Sequence, residues 1–229
     1  MKLLALDTST EVLSLALQLG DDVYVHHQQA GATASQLILP QIQALLDTAN
    51  ITLKDLDGIA FGAGPGAFTG VRIACGVAQA LAFGAGLPVV GVNTLMALAQ
   101  ASEADKVLAC LDARMGEIYH AVLVRDGTGW QETIATTVCK PELAPAVSGD
   151  DWVGAGSGWG VYAQALSAIY QASLIQIRPE VTPTASAILQ LAIPIFVAGK
   201  AKSASEAMPI YIRNRVALTT QEREQGQRL

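Results

Sequence analysis

Two stretches of this 229-residue chain, LLALDTSTEVLSLAL (residues 3–17) and VLACLDARMGEIYHAVL (107–123), are built alike. Each is an apolar strand ending in an aspartate, Asp7 or Asp112, then a short polar turn and a second strand. A further strand candidate follows each copy, VYVHHQQ in the first half and TIATTVC in the second, and helical patterns come after. A repeated unit of this kind predicts a duplicated α/β protein with two similar lobes. Charge returns near Ser102–Asp105 after a long uncharged span, which divides the chain into 1–103 and 104–229.

That uncharged span, Ile73 to Ser102, is long enough to raise the question of a membrane helix. Gly76, Gln79, Gly84, Gly86 and Pro88 interrupt it, and Pro88 opens the strand-like PVVGV. The expected order is helix, turn, strand, helix within a soluble, cytoplasmic protein with no membrane contact. Asp7 and the TST after it cut the first apolar run too short for a signal peptide. With 51% apolar and 15% charged residues the composition is that of a globular domain. The net charge of −6 argues against a chain that binds nucleic acid unaided, since displacing counterions from phosphates needs a basic face. Cys75, Cys110 and Cys139 form no CxxC pair and read as buried free thiols.

From Ser35 to Asn50, Leu37, Ile38, Gln41, Ile42, Leu45 and Leu46 recur at helical spacing; Pro40 predicts an irregular first turn. Thr52 and Asp55 stand at capping-box spacing. DGIAFG reads as a buried strand leading into GAGPGAFTGVRIACGVAQALAFG (62–84), a glycine loop running into a long helix. The loop is not a P-loop, for no lysine lies between Lys54 and Lys106. Nor is it a dinucleotide fingerprint, since Ala67 and Thr69 occupy the third glycine positions. In the helix, Gly66, Gly70, Ala74, Ala78, Ala82 and Gly86 fall four apart, with Gly76, Ala80 and Gly84 as a parallel row. Residues four apart lie along one ridge, so one flank is nearly smooth and suited to close approach by another element, within the lobe or from another subunit.

Asp7, with the hydroxyls of Thr8, Ser9 and Thr10 beside it, and Asp112 stand where two-lobed ATPases organise metal and phosphates. Capping their own turns is the alternative role. Gly154, Gly156 and Gly158 resemble the loop that faces adenine in such clefts. A catalytic set is missing: His26, His27 and His120 have no helical partner, GxSxG is absent, and Cys75 lacks a nearby base. From Lys200 onward six Lys or Arg stand against Glu206, Glu222 and Glu224, and the strand-like MPIYIR precedes Arg215. A solvated tail, or one touching a partner or RNA, fits that composition.

Taken together, LALDTST, GAGPGAFTGVRIACGVAQALA, GVNTLMALAQ, LDARMGEIY, VGAGSGW and PIYIRN occur in the order and spacing of the bacterial TsaB (YeaZ) family, which the chain resembles over nearly its whole length. The resemblance implies the sugar kinase, Hsp70 and actin fold, with a docking lobe at 1–103 and a second lobe and tail at 104–229. It implies a subunit that assists threonylcarbamoylation of the adenosine beside the anticodon of tRNA, with no cofactor, metal or catalytic residue of its own. The expected partners are a TsaD-type paralogue, which carries an HxxxH metal motif, a TsaE-type ATPase, and a second copy of the chain when alone. Contact with tRNA would be indirect. The segment ATASQLILPQI has no histidine, and Ala34 stands where many relatives keep one. Carried over from the family, the partner interface would draw on Leu37, Gln41, Leu45, Gly66, Phe68, Thr69, Gly70, Arg72, Ile73 and Val77. Asp7, Thr8, Asp112, Gly154, Gly156 and Gly158 would be the remnant of a nucleotide cleft. An ATP-dependent small-molecule kinase of the same fold is the competing expectation.

Overall fold

The computed structural model describes residues 1–127 and 129–213. The strands form two five-stranded sheets. The first contains β1 (Lys2–Asp7), β2 (Val12–Leu19), β3 (Asp22–Gln29), β4 (Gly58–Gly64) and β5 (Val89–Asn93), in the order β3-β2-β1-β4-β5. The second contains β6 (Lys106–Arg114), β7 (Glu117–Asp126), β8 (Gly129–Cys139), β9 (Trp152–Ala155) and β10 (Leu174–Arg178), in the order β10-β9-β6-β7-β8. Each is an antiparallel three-strand meander extended by two parallel strands, so the duplication legible in the two hairpins covers both sheets.

The continuous apolar character of β1 follows from burial on both faces. Leu4 and Leu6 enter one core with Leu13, Leu15, Ile59 and Phe61, under helices α1 (Ala34–Thr48) and α2 (Phe68–Ala85). Leu3 and Ala5 enter the opposite core, under α6 (Ala185–Val197). Helix α3 (Thr94–Ala101) joins the lobes: Leu95, Leu98 and Ala99 pack with Val107, Ala109 and Leu111 of β6. On the far face of the second sheet, α4 (Ser157–Val161) and α5 (Ala163–Tyr170) enclose Cys110, Trp159 and Tyr170. The chain therefore returns to its first lobe after the second sheet is complete, and a division into 1–103 and 104–229 sorts the sheets but not α6.

Local expectations fare unevenly. The Thr52–Asp55 box forms, with the Asp55 carboxylate accepting from the Thr52 amide at 2.8 Å, and it caps a single 3-10 turn, Leu53–Asp55. Pro40 sits inside α1 without breaking it. The carbonyl it leaves without an amide partner belongs to exposed Gln36, where water serves; the irregular turn lies earlier, as the 3-10 turn Gly31–Thr33. The segment PELA (141–144), whose opening proline suits the start of a helix, makes only a 3-10 turn, Pro141–Leu143. MPIYIR is extended but, among the described residues, joins no sheet; its one backbone bond runs from the Ile210 amide to the Ala63 carbonyl at 2.7 Å. Arg215 and the rest of the tail lie outside the described residues. Among the described residues α2 is the one helix long and apolar enough to cross a membrane; here it lies along β4.

Candidate docking face and inter-lobe cleft

The two rows of small residues on α2 point to different places. Ala74, Ala78 and Ala82 are wholly buried against the first sheet. Gly66 and Gly70 continue that row onto the turn between β1 and β2. A Cβ on Gly70 would stand 1.8 Å from the Thr8 carbonyl oxygen, and one on Gly66 2.5 Å from that of Ser9. Thr8 Oγ1 also donates to the Gly70 carbonyl at 2.6 Å. These two glycines therefore serve a contact inside the lobe, and both remain half-exposed at the start of α2. Gly76, Ala80 and Gly84 form the solvent-facing row, and neither glycine has a heavy atom within 4 Å of its would-be Cβ.

Large apolar side chains flank that open row. Phe68 at the start of α2 is 48% exposed and Phe83 near its end is 78% exposed; Leu39 of α1 is also exposed. The Arg72 guanidinium lies 3.4 Å from the centroid of the Phe68 ring, a cation–π contact, and its Nε–H donates to the Tyr211 hydroxyl at 2.9 Å. Thr69 is exposed, while Leu37, Gln41, Ile73 and Val77 are half-buried along the seam between the helices and the core. Leu45, expected on the same surface, belongs to the core instead, since the helical stripe turns inward by that residue. Phe83, Leu39 and Tyr211 add exposed apolar surface that the spacing of the small residues does not point to.

A groove of about 930 Å³ opens between the lobes, walled by both aspartate turns, the start of α2 and the segment Ile210–Arg213. Of the six residues expected to face a nucleotide there, Asp112 alone lines it. Asp7 is fully buried, its Oδ2 accepting from the amide and hydroxyl of Ser9 at 3.0 and 2.9 Å. Among the described residues its Oδ1 has no partner, and it lies where a Cβ on Gly62 would be, 1.9 Å away. Loss of water raises its carboxyl from an ordinary 3.8 to about 6, with the Ser9 bonds pulling the other way. Asp112 Oδ1 accepts from the Arg114 amide at 2.9 Å and from the Tyr162 hydroxyl at 3.2 Å, and Arg114 Nη1 lies 3.2 Å from its Oδ2. Both aspartates thus close their own turns.

The glycines of the second lobe answer to packing. A Cβ on Gly154 would stand 2.5 Å from the Trp159 ring, one on Gly158 2.3 Å from Cys110 Sγ, and one on Gly156 2.4 Å from the Cys110 carbonyl. Gly156 also holds φ +103, a backbone state closed to most L-residues. Their absent side chains let Trp159 lie flat on β6 and donate to the Leu108 carbonyl at 2.9 Å. Beside them His120 is fully buried; its Nε2 meets the Tyr170 hydroxyl at 3.2 Å and burial lowers it from 6.5 to about 4.

Residues 25–216 match the family model described as TsaD, tRNA N6-adenosine threonylcarbamoyltransferase. The chain is 41% identical to the tRNA threonylcarbamoyladenosine biosynthesis protein TsaB of Escherichia coli K12, over 95% of this chain and 96% of that protein. It belongs to the TsaB (YeaZ) family. TsaB of Haemophilus influenzae is 39% identical, over 94% of this chain and 95% of its own length. The structure of YeaZ from Pseudomonas aeruginosa superposes with a TM-score of 0.82 at 38% identity, covering 92% of this chain and 99% of that one. The two-lobed fold expected from the TsaB resemblance is therefore the fold of the family.

Proposed function

We propose that this chain is a non-catalytic subunit in the formation of threonylcarbamoyladenosine in tRNA, working in the cytoplasm. It docks through α2 and the adjoining part of α1 on a TsaD-type paralogue that carries the chemistry, and a TsaE-type ATPase resets the assembly. The same face would pair two copies when the chain is alone. The observation that carries this reading is the exposed edge of α2. A strip free of bulk, Gly76–Ala80–Gly84, shares the exposed side of α2 with two exposed phenylalanines, Phe68 and Phe83. Fifteen residues separate Phe68 from Phe83, about 22 Å of helix, which suits a helix–helix contact with aromatic anchors at its ends. The TsaB relatives are named for the biosynthesis of threonylcarbamoyladenosine in tRNA, which supports this role. Asp7 Oδ2, Thr8 Oγ1 and Asp112 Oδ1 are engaged with protein partners, and the free Asp7 Oδ1 is buried away from the cleft, which favours a subunit over a kinase.

Two substitutions test the face without touching the core. Phe68→Asp should weaken association with the TsaD-type paralogue at least tenfold, because it places an unpaired charge in a desolvated contact. Gly76→Leu should do the same by blocking backbone approach. Phe68→Asp should melt within about 2 °C of the parent, as exposed substitutions ordinarily do, and Gly76→Leu should melt no lower than the parent, since losing a glycine favours an exposed helix. Sedimentation velocity with the purified paralogue gives the answer; unchanged association for both variants would remove α2 from the interface.

A further inference from the structure

We infer that the extended segment Met208–Arg213 is a strap that couples the exposed edge of α2 to the turn between β6 and β7. A partner seated on Phe68 and Arg72 would then alter the hold on the second lobe.

The lobes meet in three ways, one of them between β5 and β8, where Asn93 Nδ2 donates to Thr136 Oγ1 at 2.9 Å. On one side α3 packs into the core of β6 and β7, a large apolar junction. On the cleft side the contacts are polar and local. One of them, Arg114 to Glu11 at 3.4 Å, is largely in solvent, with both side chains more than half exposed. The other runs through the strap. Before it, Lys202 exchanges two backbone bonds with Val89, and Ala204 and Ala207 are buried against the first core. The Ile210 amide then bonds the Ala63 carbonyl at the end of β4, and the Tyr211 hydroxyl receives Arg72 Nε. Two residues on, Arg213 pairs with Glu117 of β7 and donates from Nη1 to Met115 Sδ at 3.6 Å. Its side chain is only 13% exposed, so this pair is far less screened than the Glu11 pair.

The anchors of the strap in the two lobes are thus about 7 Å of chain apart. One of them, Arg72, stands in the proposed docking face, held between the Phe68 and Tyr211 rings. A partner that engages the Phe68 ring or the guanidinium must compete with Tyr211 for Arg72. Displacing Tyr211 shifts Arg213, and with it the β6–β7 turn, where Arg114 and Met115 already hold positive φ. The part of the inference concerning docking rests on the subunit role proposed above.

The coupling itself is measured on the isolated full-length chain, diluted until sedimentation shows monomer, by amide hydrogen exchange. Tyr211→Phe and Arg72→Met should each speed exchange in the β6–β7 turn at least threefold. Glu117→Gln should speed exchange in the first turn of α2 comparably. Effects confined to the mutated lobe, in either direction, would overturn the strap. No partner is present in this experiment, so its outcome is independent of whether reconstitution with a TsaD-type paralogue succeeds.

Discussion

Gly70→Ala should lower the stability of the isolated chain by about 3 kcal/mol or more, the upper part of the range for overpacking a rigid contact. The added methyl group meets the Thr8 carbonyl oxygen at 1.8 Å, and backbone rather than a flexible side chain must give way. The shift would also disturb the Thr8–Gly70 hydrogen bond that ties α2 to the β1–β2 turn. For a domain of this size the melting temperature should fall by roughly 6–12 °C. Gly76→Ala, six residues along the same helix, should do the opposite. No atom lies within 4 Å of its Cβ, and replacing glycine in an exposed helix interior gains about 1 kcal/mol. Calorimetry of the two variants side by side separates the inward row from the outward one; equal shifts would contradict the assignment.

The second large effect concerns pH. Asp7 holds its proton up to about 6 in the folded chain against 3.8 ordinarily, because burial disfavours the carboxylate. The folded state therefore binds this proton more tightly than the unfolded one, and the group favours folding increasingly as pH falls from 6 toward 4. His120 runs the other way, titrating near 4 when folded against 6.5 when free. Its contribution is complete above 6.5 and is lost as pH falls toward 4. At about 1.4 kcal/mol per pH unit of displacement, each amounts to roughly 3 kcal/mol, and between 6 and 4 they largely cancel. Asp7→Asn removes one side of the balance. The variant should melt about 2–6 °C higher at pH 7.5, where the unpaired buried carboxylate costs most, and lose about 6–12 °C on acidification from 6.5 to 4.5. A variant less stable than the parent at every pH, with an unchanged profile, would show that Asp7 is not the buried ionisable group described.

How far the fold could be read from the residues depended on how local each cause was. The two hairpins, the strand DGIAFG and the break-up of the uncharged span rest on apolar periodicity and turn residues, and all are present. The inward and outward rows of α2 could not be told apart, since both consist of small residues; a turn some sixty positions earlier decides it, through Thr8 and Ser9. Leu37 and Leu45 share a helical stripe, yet only Leu45 reaches the core. Asp7 looks like a ligand-facing residue because strand ends usually open on a cleft, and the missing side chain of Gly62 is what lets it turn inward. Gly154, Gly156 and Gly158 look like a loop for a ligand and make room for Trp159 and β6. The segment MPIYIR has strand composition, but pairing needs a free edge, and among the described residues its one backbone bond is that to Ala63.

The central claim is that chemistry takes place in a sister protein while this chain supplies the surface that sister needs. Its most direct measurement is the rate of threonylcarbamoyladenosine formation on tRNA by a purified TsaD-type paralogue and TsaE-type ATPase, supplied with ATP and an activated threonylcarbamoyl donor, with and without this chain. The account predicts modification that depends on adding the parent chain and is not restored by Phe68→Asp or Gly76→Leu. Modification that proceeds equally without it, or that this chain carries out by itself, would contradict the account.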